Sequence, residues 1–139
     1  MLGLIQGGGD VKFQVIDPDN IPSITSDIAI ACASLDSMPY SCAVDWLKML
    51  RQQMPPNTGI LFATLIAARS DGFIGEEFVS ESHENGTIQH YFDNALIEEL
   101  LCSTGFQLMR LDLIEHTNLF PGIAHRSPGR YSVVAKIAS

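Results

Sequence analysis

Two uninterrupted apolar runs, Asp27 to Ala33 and Gly59 to Ala67, constrain this chain more than any other feature. Neither Ile28-Ala29-Ile30-Ala31-Cys32 nor Ile60-Leu61-Phe62 with Leu65 and Ile66 alternates polar with apolar residues. A strand covered on both faces has that pattern, and parallel sheets are covered on both faces. Between the runs, Ala43, Trp46, Leu47, Leu50 and Met54 recur at helical spacing, while Asp45, Lys48, Arg51 and Gln52 take the other side. Pro55 and Pro56 end that helix, and Asn57-Thr58-Gly59 supplies a turn. The pattern predicts a right-handed, parallel strand–helix–strand unit. Ligands in such sheets bind beyond the carboxyl ends of the strands. Ala33-Ser34-Leu35-Asp36 is therefore the first place to seek a function.

The 139 residues suffice for one domain with a real core, since 46% are hydrophobic. A formal net charge of −8 disfavours a nucleic-acid surface and leaves small molecules or proteins as partners. Three cysteines without metal-ligand spacing point to a reducing, cytoplasmic setting and to no metal. Cys32 and Cys102 lie in apolar runs and read as buried small hydrophobes. No signal-peptide pattern stands out, and the longest apolar run, Ile60 to Ala68, is too short to span a bilayer.

At the start, Gly7-Gly8-Gly9 mimics a phosphate-binding loop. That device needs a helix after the glycines, and the strand-like Lys12 to Asp17 leaves no room for one. Residues 18–22 are a turn-rich connector, which places Asp17 at a strand's carboxyl end. The polar stretch Arg69 to His90 reads as a long loop overhanging the ligand side, with His83 and His90 as a candidate base or metal ligands, or simply as solvated residues. Asp93 to Thr104 reads as a helix capped by Asp93 or Asn94 and ended by Gly105. Its buried stripe is Leu96, Ile97, Leu100 and Leu101. Gln107 to Ile114 is a strand with Met109, Leu111 and Leu113 on one face, and Tyr131 to Ala138 is the last strand. His116 and His125, in the loop between them, read as surface residues.

Three stretches carry a family resemblance. Asp17-Pro18-Asp19-Asn20-Ile21-Pro22 followed by Ser26-Asp27-Ile28-Ala29-Ile30, then Leu50 to Leu61, then His90 to Phe106, resemble successive motifs of class I S-adenosylmethionine-dependent methyltransferases. The pieces follow the family's order from about residue 12 to the end. The resemblance implies an α/β fold: a partial Rossmann-like sheet, mostly parallel, whose last strand is antiparallel and lies beside the 59–66 strand. It implies S-adenosylmethionine as cofactor, with Asp17, Pro18, Ala33, Ser34 and Leu35 on its side and Tyr40, His83 and His90 toward a small-molecule or protein methyl acceptor. The sulfonium is already a strong electrophile, so the protein mainly orients donor and acceptor and excludes water. No catalytic residue is assigned.

Two departures stand out. The family's glycine-rich loop, with its strand, is not found, which predicts a single, N-terminally truncated methyltransferase-like domain over 1–139. Pro18 lacks the backbone N–H that the family offers to adenine. The alternatives are a non-catalytic module that pairs with a partner or with itself, and a flavodoxin-like domain, whose phosphate loop is also not found. Without the family's neighbouring strands, 27–33 becomes an exposed edge that invites self-association or a partner.

Overall fold

The structure is a computed structural model that describes residues 10, 13, 25–79, 86–115 and 127–139. The expected strand over 12–17, apart from the exposed Phe13, and the residues Asp17, Pro18, His83, His116 and His125 lie outside the described residues.

The element order is β1 (Ile28–Cys32), α1 (Tyr40–Gln53), β2 (Ile60–Ile66), β3 (Gly75–Phe78), β4 (Ile88–Tyr91), α2 (Asn94–Ser103), β5 (Phe106–Glu115) and β6 (Gly129–Ile137). Four strands form one sheet in the order β1-β2-β6-β5, and β3 pairs with β4 in a separate hairpin. β1 and β2 are parallel, with Ile28 opposite Ile60 and Cys32 opposite Thr64. This is the expected strand–helix–strand unit. β6 runs antiparallel to both β2 and β5. The expectation of a mostly parallel sheet is thereby corrected. One reversed strand, set between two others, makes two antiparallel ladders, and within this four-stranded sheet the β1–β2 ladder is the parallel one.

One face of the sheet holds the core. Leu61, Ala63, Leu65, Val133, Ala135 and Ile137 are buried there against Ala43 and Leu47 of α1 and Ile97, Leu100 and Leu101 of α2. Trp46, Leu50 and Leu96 pack on its margin. Both helices form where the apolar spacing put them. Asp93 accepts the Leu96 N–H at 2.8 Å and caps α2. Gly105 ends it at φ +88, a left-handed conformation that glycine adopts without a Cβ clash.

The other face differs from the expectation of strands covered on both sides. Ile28, Ile30 and Phe62 are 56, 72 and 41% exposed. The unbroken hydrophobicity of the runs gave no sign of this, because both helices lie on the opposite face. Cys32, Cys42 and Cys102 are exposed free thiols, which corrects the reading of Cys32 and Cys102 as buried.

Two further features depart from the pattern. The stretch over 69–90 holds the β3–β4 hairpin rather than loop alone. The Arg69 guanidinium bonds Asp71 and Glu77, and the Tyr91 hydroxyl donates to Glu77 Oε1 at 3.1 Å. The hydrogen bond from Arg69, first among several causes, lowers the exposed Asp71 carboxyl to about 2. In β5 the register slips between Leu108 and Arg110, a β-bulge. Met109 becomes the extra, exposed residue, while Leu108 and Leu111 face the core opposite Ala135 and Val133.

Candidate functional site

The carboxyl ends of β1 and β2 are where polar groups gather inside the molecule. β1 ends at Ala33, whose backbone takes φ +51, a left-handed conformation rare for a residue with a Cβ. The Ala33 N–H donates to Thr64 Oγ1 at 3.0 Å across the parallel ladder. The chain then turns, with the Ser37 N–H donating to the Ser34 carbonyl at 3.1 Å and the Ser37 hydroxyl to the Ala33 carbonyl at 3.2 Å. Ser34 stays exposed, whereas the Leu35 side chain enters the core. Of the five residues expected on the cofactor side, three are described, and of these Ala33 and Ser34 face outward while Leu35 does not.

Asp36 follows, 3% exposed. Its Oδ2 accepts the Ile66 N–H at 2.8 Å and the Arg130 guanidinium. Its carbonyl accepts the His90 N–H at 2.9 Å. Asp36 thus ties the ends of β1, β2, β4 and β6 together. Neither Asp36 nor Arg130 was singled out from sequence as a functional residue. The available signal was position, a carboxylate right after the β1 end, and nothing local indicated the arginine 94 residues away.

His90 was read as an acceptor-side candidate and, in its polar stretch, as solvated; it is instead buried, at 5% exposure. Its ring lies between Tyr40 (centroids 5.3 Å apart) and Phe92 (4.6 Å). The sequence gave no hint of this burial because the covering groups come from α1 and from the end of β4. Burial lowers the imidazole pKa, outweighing the opposing effects of Glu76, a backbone hydrogen bond at Tyr91, and Asp36. Burial, and then the charge of Glu99, raises the Tyr40 hydroxyl above its ordinary value. The Tyr40 N–H donates to Glu76 Oε1 at 2.6 Å, so the hairpin supplies the carboxylate that the first turn of α1 lacks. Tyr40 and His90 are thereby brought together near Asp36, close to the exposed turn of Ala33 and Ser34.

Two atoms in this cluster, Asp36 Oδ1 and His90 Nδ1, are buried with no hydrogen-bond partner among the described residues. Buried polar atoms in folded proteins are nearly always satisfied, so each unpartnered one calls for a water, an ion or a ligand. No group of His, Cys, Asp and Glu among the described residues is arranged to hold a metal ion. Two shallow clefts, one at Asp27, Gln52 and Met54 and one at Leu101, Phe106 and Ala138, lie at the amino ends of the strands, away from this rim.

No protein-family profile matches the sequence, and no curated protein matches it. Solved structures do. An S-adenosylmethionine-dependent methyltransferase from Methanosarcina mazei superposes with a TM-score of 0.72 at 16% identity, over 96% of this chain and 71% of its own. The 1,6-didemethyltoxoflavin N1-methyltransferase of Burkholderia thailandensis, solved with that compound and S-adenosylhomocysteine, gives 0.66 at 11% identity, over 88% and 48%. The fold is that of class I S-adenosylmethionine-dependent methyltransferases. The chain spans about half the length of the second structure. The same methyltransferase fold also carries other chemistry: the [4+2]-cyclase SpnF matches at 0.65 and 18% identity, over 92% of this chain and 57% of its own. The antiparallel β6 lies beside β2, as the sequence-based expectation placed the last strand. No helix among the described residues is long and apolar enough to cross a membrane.

Proposed function

We infer that the chain is an S-adenosylmethionine-dependent methyltransferase, or the C-terminal part of one, acting on a small-molecule or protein acceptor. The observation that carries this reading is the strand order β1-β2-β6-β5 with β6 reversed, in a fold whose solved examples include methyltransferases. Small-molecule acceptors are favoured by two of those examples, solved with 1,6-didemethyltoxoflavin and with 1,4-dihydroxy-2-naphthoic acid.

Bound S-adenosylmethionine supplies an electrophilic methyl group on a sulfonium. The residues of the rim fit such a ligand in part: two buried polar atoms await partners, and Ala33 and Ser34 face outward at the turn. Ala33, Ser34 and the backbone of Leu35, with Asp17 and Pro18 from the resemblance, hold the cofactor side. Tyr40 and His90, with His83 from the resemblance, serve the acceptor side. His90, whose charged form burial disfavours, is suited to accept a hydrogen bond from an acceptor O–H or N–H at Nδ1. The three free thiols accord with a reducing, cytoplasmic setting.

The test is a titration of labelled protein with S-adenosylhomocysteine, followed by the amide signals of Ala33 to Leu35. Weak binding is expected, at about millimolar affinity or about −4 kcal/mol. Shifts confined to those amides support the reading, and transfer of an isotopically labelled methyl group to a phenol or N-heterocycle completes it. No shift at the highest soluble ligand concentration overturns it. A second reading, a methyltransferase-like module that pairs with a partner or with itself, is favoured by the exposed β1 edge.

A further inference from the structure

Asp36 and His90 meet at the rim with one polar atom each unsatisfied. Asp36 Oδ2 is taken by the Ile66 N–H and the Arg130 guanidinium, while Oδ1 has no hydrogen-bond partner. His90 Nδ1 has none either. The Asp36 carbonyl accepts the His90 N–H at 2.9 Å, and the Asp36 charge acts on the imidazole, so the two side chains are neighbours. They do not bond each other, and they are only 3 and 5% exposed. An ionised carboxylate accepts hydrogen bonds and donates none, and so does the unprotonated nitrogen of a neutral imidazole. His90 Nε2 is not among the buried atoms without a partner, so the ring proton has its place there. Oδ1 and Nδ1 are then two acceptors facing no donor. A third group that brings two donors satisfies both at once.

We propose that this pair recognises a primary amino group on the methyl acceptor, one N–H donating to Asp36 Oδ1 and the other to His90 Nδ1. That the amine is the methyl acceptor rests on the methyltransferase reading; the two-donor recognition does not. A neutral amine is the group whose donors and lone pair fit together. Its two hydrogens engage the two acceptors, and the nitrogen lone pair stays free for the methyl carbon. As the C–N bond forms the C–S bond breaks, sulfur keeps that pair of electrons, and the surplus proton on nitrogen passes to water when the product leaves. A hydroxyl has one hydrogen only. It leaves one of the two acceptors unpaired and turns an oxygen lone pair toward it, a costly arrangement where water is excluded. An ammonium has no lone pair, so the group arrives neutral, as an aromatic amine does at neutral pH. Of the two rings that flank His90, Phe92 is fully buried and Tyr40 half-buried, so the way in passes Tyr40.

Nitrogen resonances of the histidine rings test the proposal on the full chain, labelled with nitrogen-15 and without added cofactor. The probes are aniline and phenol, equal in shape and differing in an amino group for a hydroxyl. In the free chain the His90 proton is expected on Nε2. Aniline is expected to move the His90 Nδ1 resonance, and phenol to bind about tenfold more weakly or worse, the cost of one buried acceptor left without a donor. His90→Phe keeps a ring between Tyr40 and Phe92 and removes both nitrogens. It is preferred to a change at Asp36, which also ties the strand ends together. In that variant, with circular dichroism unchanged, aniline and phenol are expected to bind alike. A proton resident on Nδ1 overturns the proposal, as does equal binding of the two probes to the wild type. A His90 signal that aniline leaves unmoved at its highest soluble concentration means that water alone meets the two acceptors, and overturns it as well. A preference for aniline that survives in His90→Phe also does so. S-adenosylhomocysteine separates this outcome from the methyltransferase reading. Shifts at Ala33 to Leu35 with no aniline response at His90 keep the reading and overturn the amine site. An aniline response with no shift at Ala33 to Leu35 keeps the amine site and overturns its role as methyl acceptor.

Discussion

The two faces of the β1-β2-β6-β5 sheet are built from neighbouring residues of the same strands and have opposite fates. Leu61 is fully buried, and Phe62, the next residue, is 41% exposed. Ala31 lies in the core, and Ile30 is exposed beside it. Nothing in the hydrophobicity of these residues separates them. The separation comes from α1 and α2, which both pack on the Leu61 side. A continuous apolar run therefore identifies a strand suited to double coverage, while the number and placement of helices decide how much coverage it receives.

Paired truncations break or sharpen that comparison. Leu61→Ala is expected to cost about 2–5 kcal/mol, through lost burial and the cavity left behind. Ile30→Ala, on the open face, is expected to stay within about 0.5 kcal/mol in dilute protein, as exposed substitutions do. Urea unfolding of both variants measures the contrast. Equal costs would mean that the open face is covered and that the two faces do not differ. Gly129→Ala comes next. A Cβ there would sit 2.2 Å from the Ile114 carbonyl oxygen and 3.0 Å from its carbon. That contact is backbone in the β5–β6 ladder, so no side chain can move away. A loss of about 1–3 kcal/mol is expected from the overpacking, and an unchanged urea midpoint would show that the two strands stand further apart than described.

Much of the covered face was legible in the sequence. Strands near 27–33, 59–66, 106–114 and 131–138, and helices near 41–54 and 93–104, match β1, β2, β5, β6, α1 and α2 to within a few residues. Repeating apolar spacing specifies such elements locally. The β3–β4 hairpin was not legible, because Gly75-Glu76-Glu77-Phe78 has no apolar alternation. Its polar contacts join residues far apart, Glu76 to Tyr40 and Glu77 to Tyr91. The β5 bulge was hidden for a similar reason: Met109, Leu111 and Leu113 alternate as a regular strand would, and only pairing with β6 reveals the slip. At the rim, Ala33 and Ser34 were marked by their place after β1, and Tyr40 only by the family resemblance. Asp36 was noticed only as a position, and Arg130 and the burial of His90 depend wholly on tertiary structure.

The two helix starts extend the comparison to smaller effects. α2 carries its own cap, Asp93, bonded to the Leu96 N–H. α1 starts after Pro39 with no side-chain cap from its own turn and takes the Glu76 carboxylate from the hairpin. Asp93→Ala is expected to cost about 1 kcal/mol, the usual value of such a cap. Glu76→Ala is expected to cost less, about 0.5 kcal/mol, because Glu76 is exposed and a single charge at a helix terminus contributes little there. Thermal unfolding ranks the two. A larger loss from Glu76→Ala would indicate that the hairpin, and not the apolar stripe, holds α1 in place.

The mildest effect lies at the rim, where burial meets polarity. His90 has a lowered pKa in the folded chain, chiefly because burial disfavours its charged form. In the unfolded chain it titrates near 6.5. Below that value the unfolded state binds a proton that the folded state refuses, so the proton difference favours unfolding. Stability therefore falls as the pH drops through the unfolded value, and this contribution levels off once the pH passes below the folded value. Above the unfolded value His90 contributes no pH dependence. Carboxylates add their own acid sensitivity at lower pH, so the His90 share is isolated by a variant. His90→Phe keeps an aromatic ring between Tyr40 and Phe92 and cannot titrate. Urea midpoints taken between about pH 7.5 and about pH 5.5 are expected to fall less for His90→Phe than for the wild type. Parallel profiles would mean that His90 gains its proton as readily folded as unfolded. The imidazole would then be open to water, and the rim would resemble the exposed face of the sheet instead of the buried one.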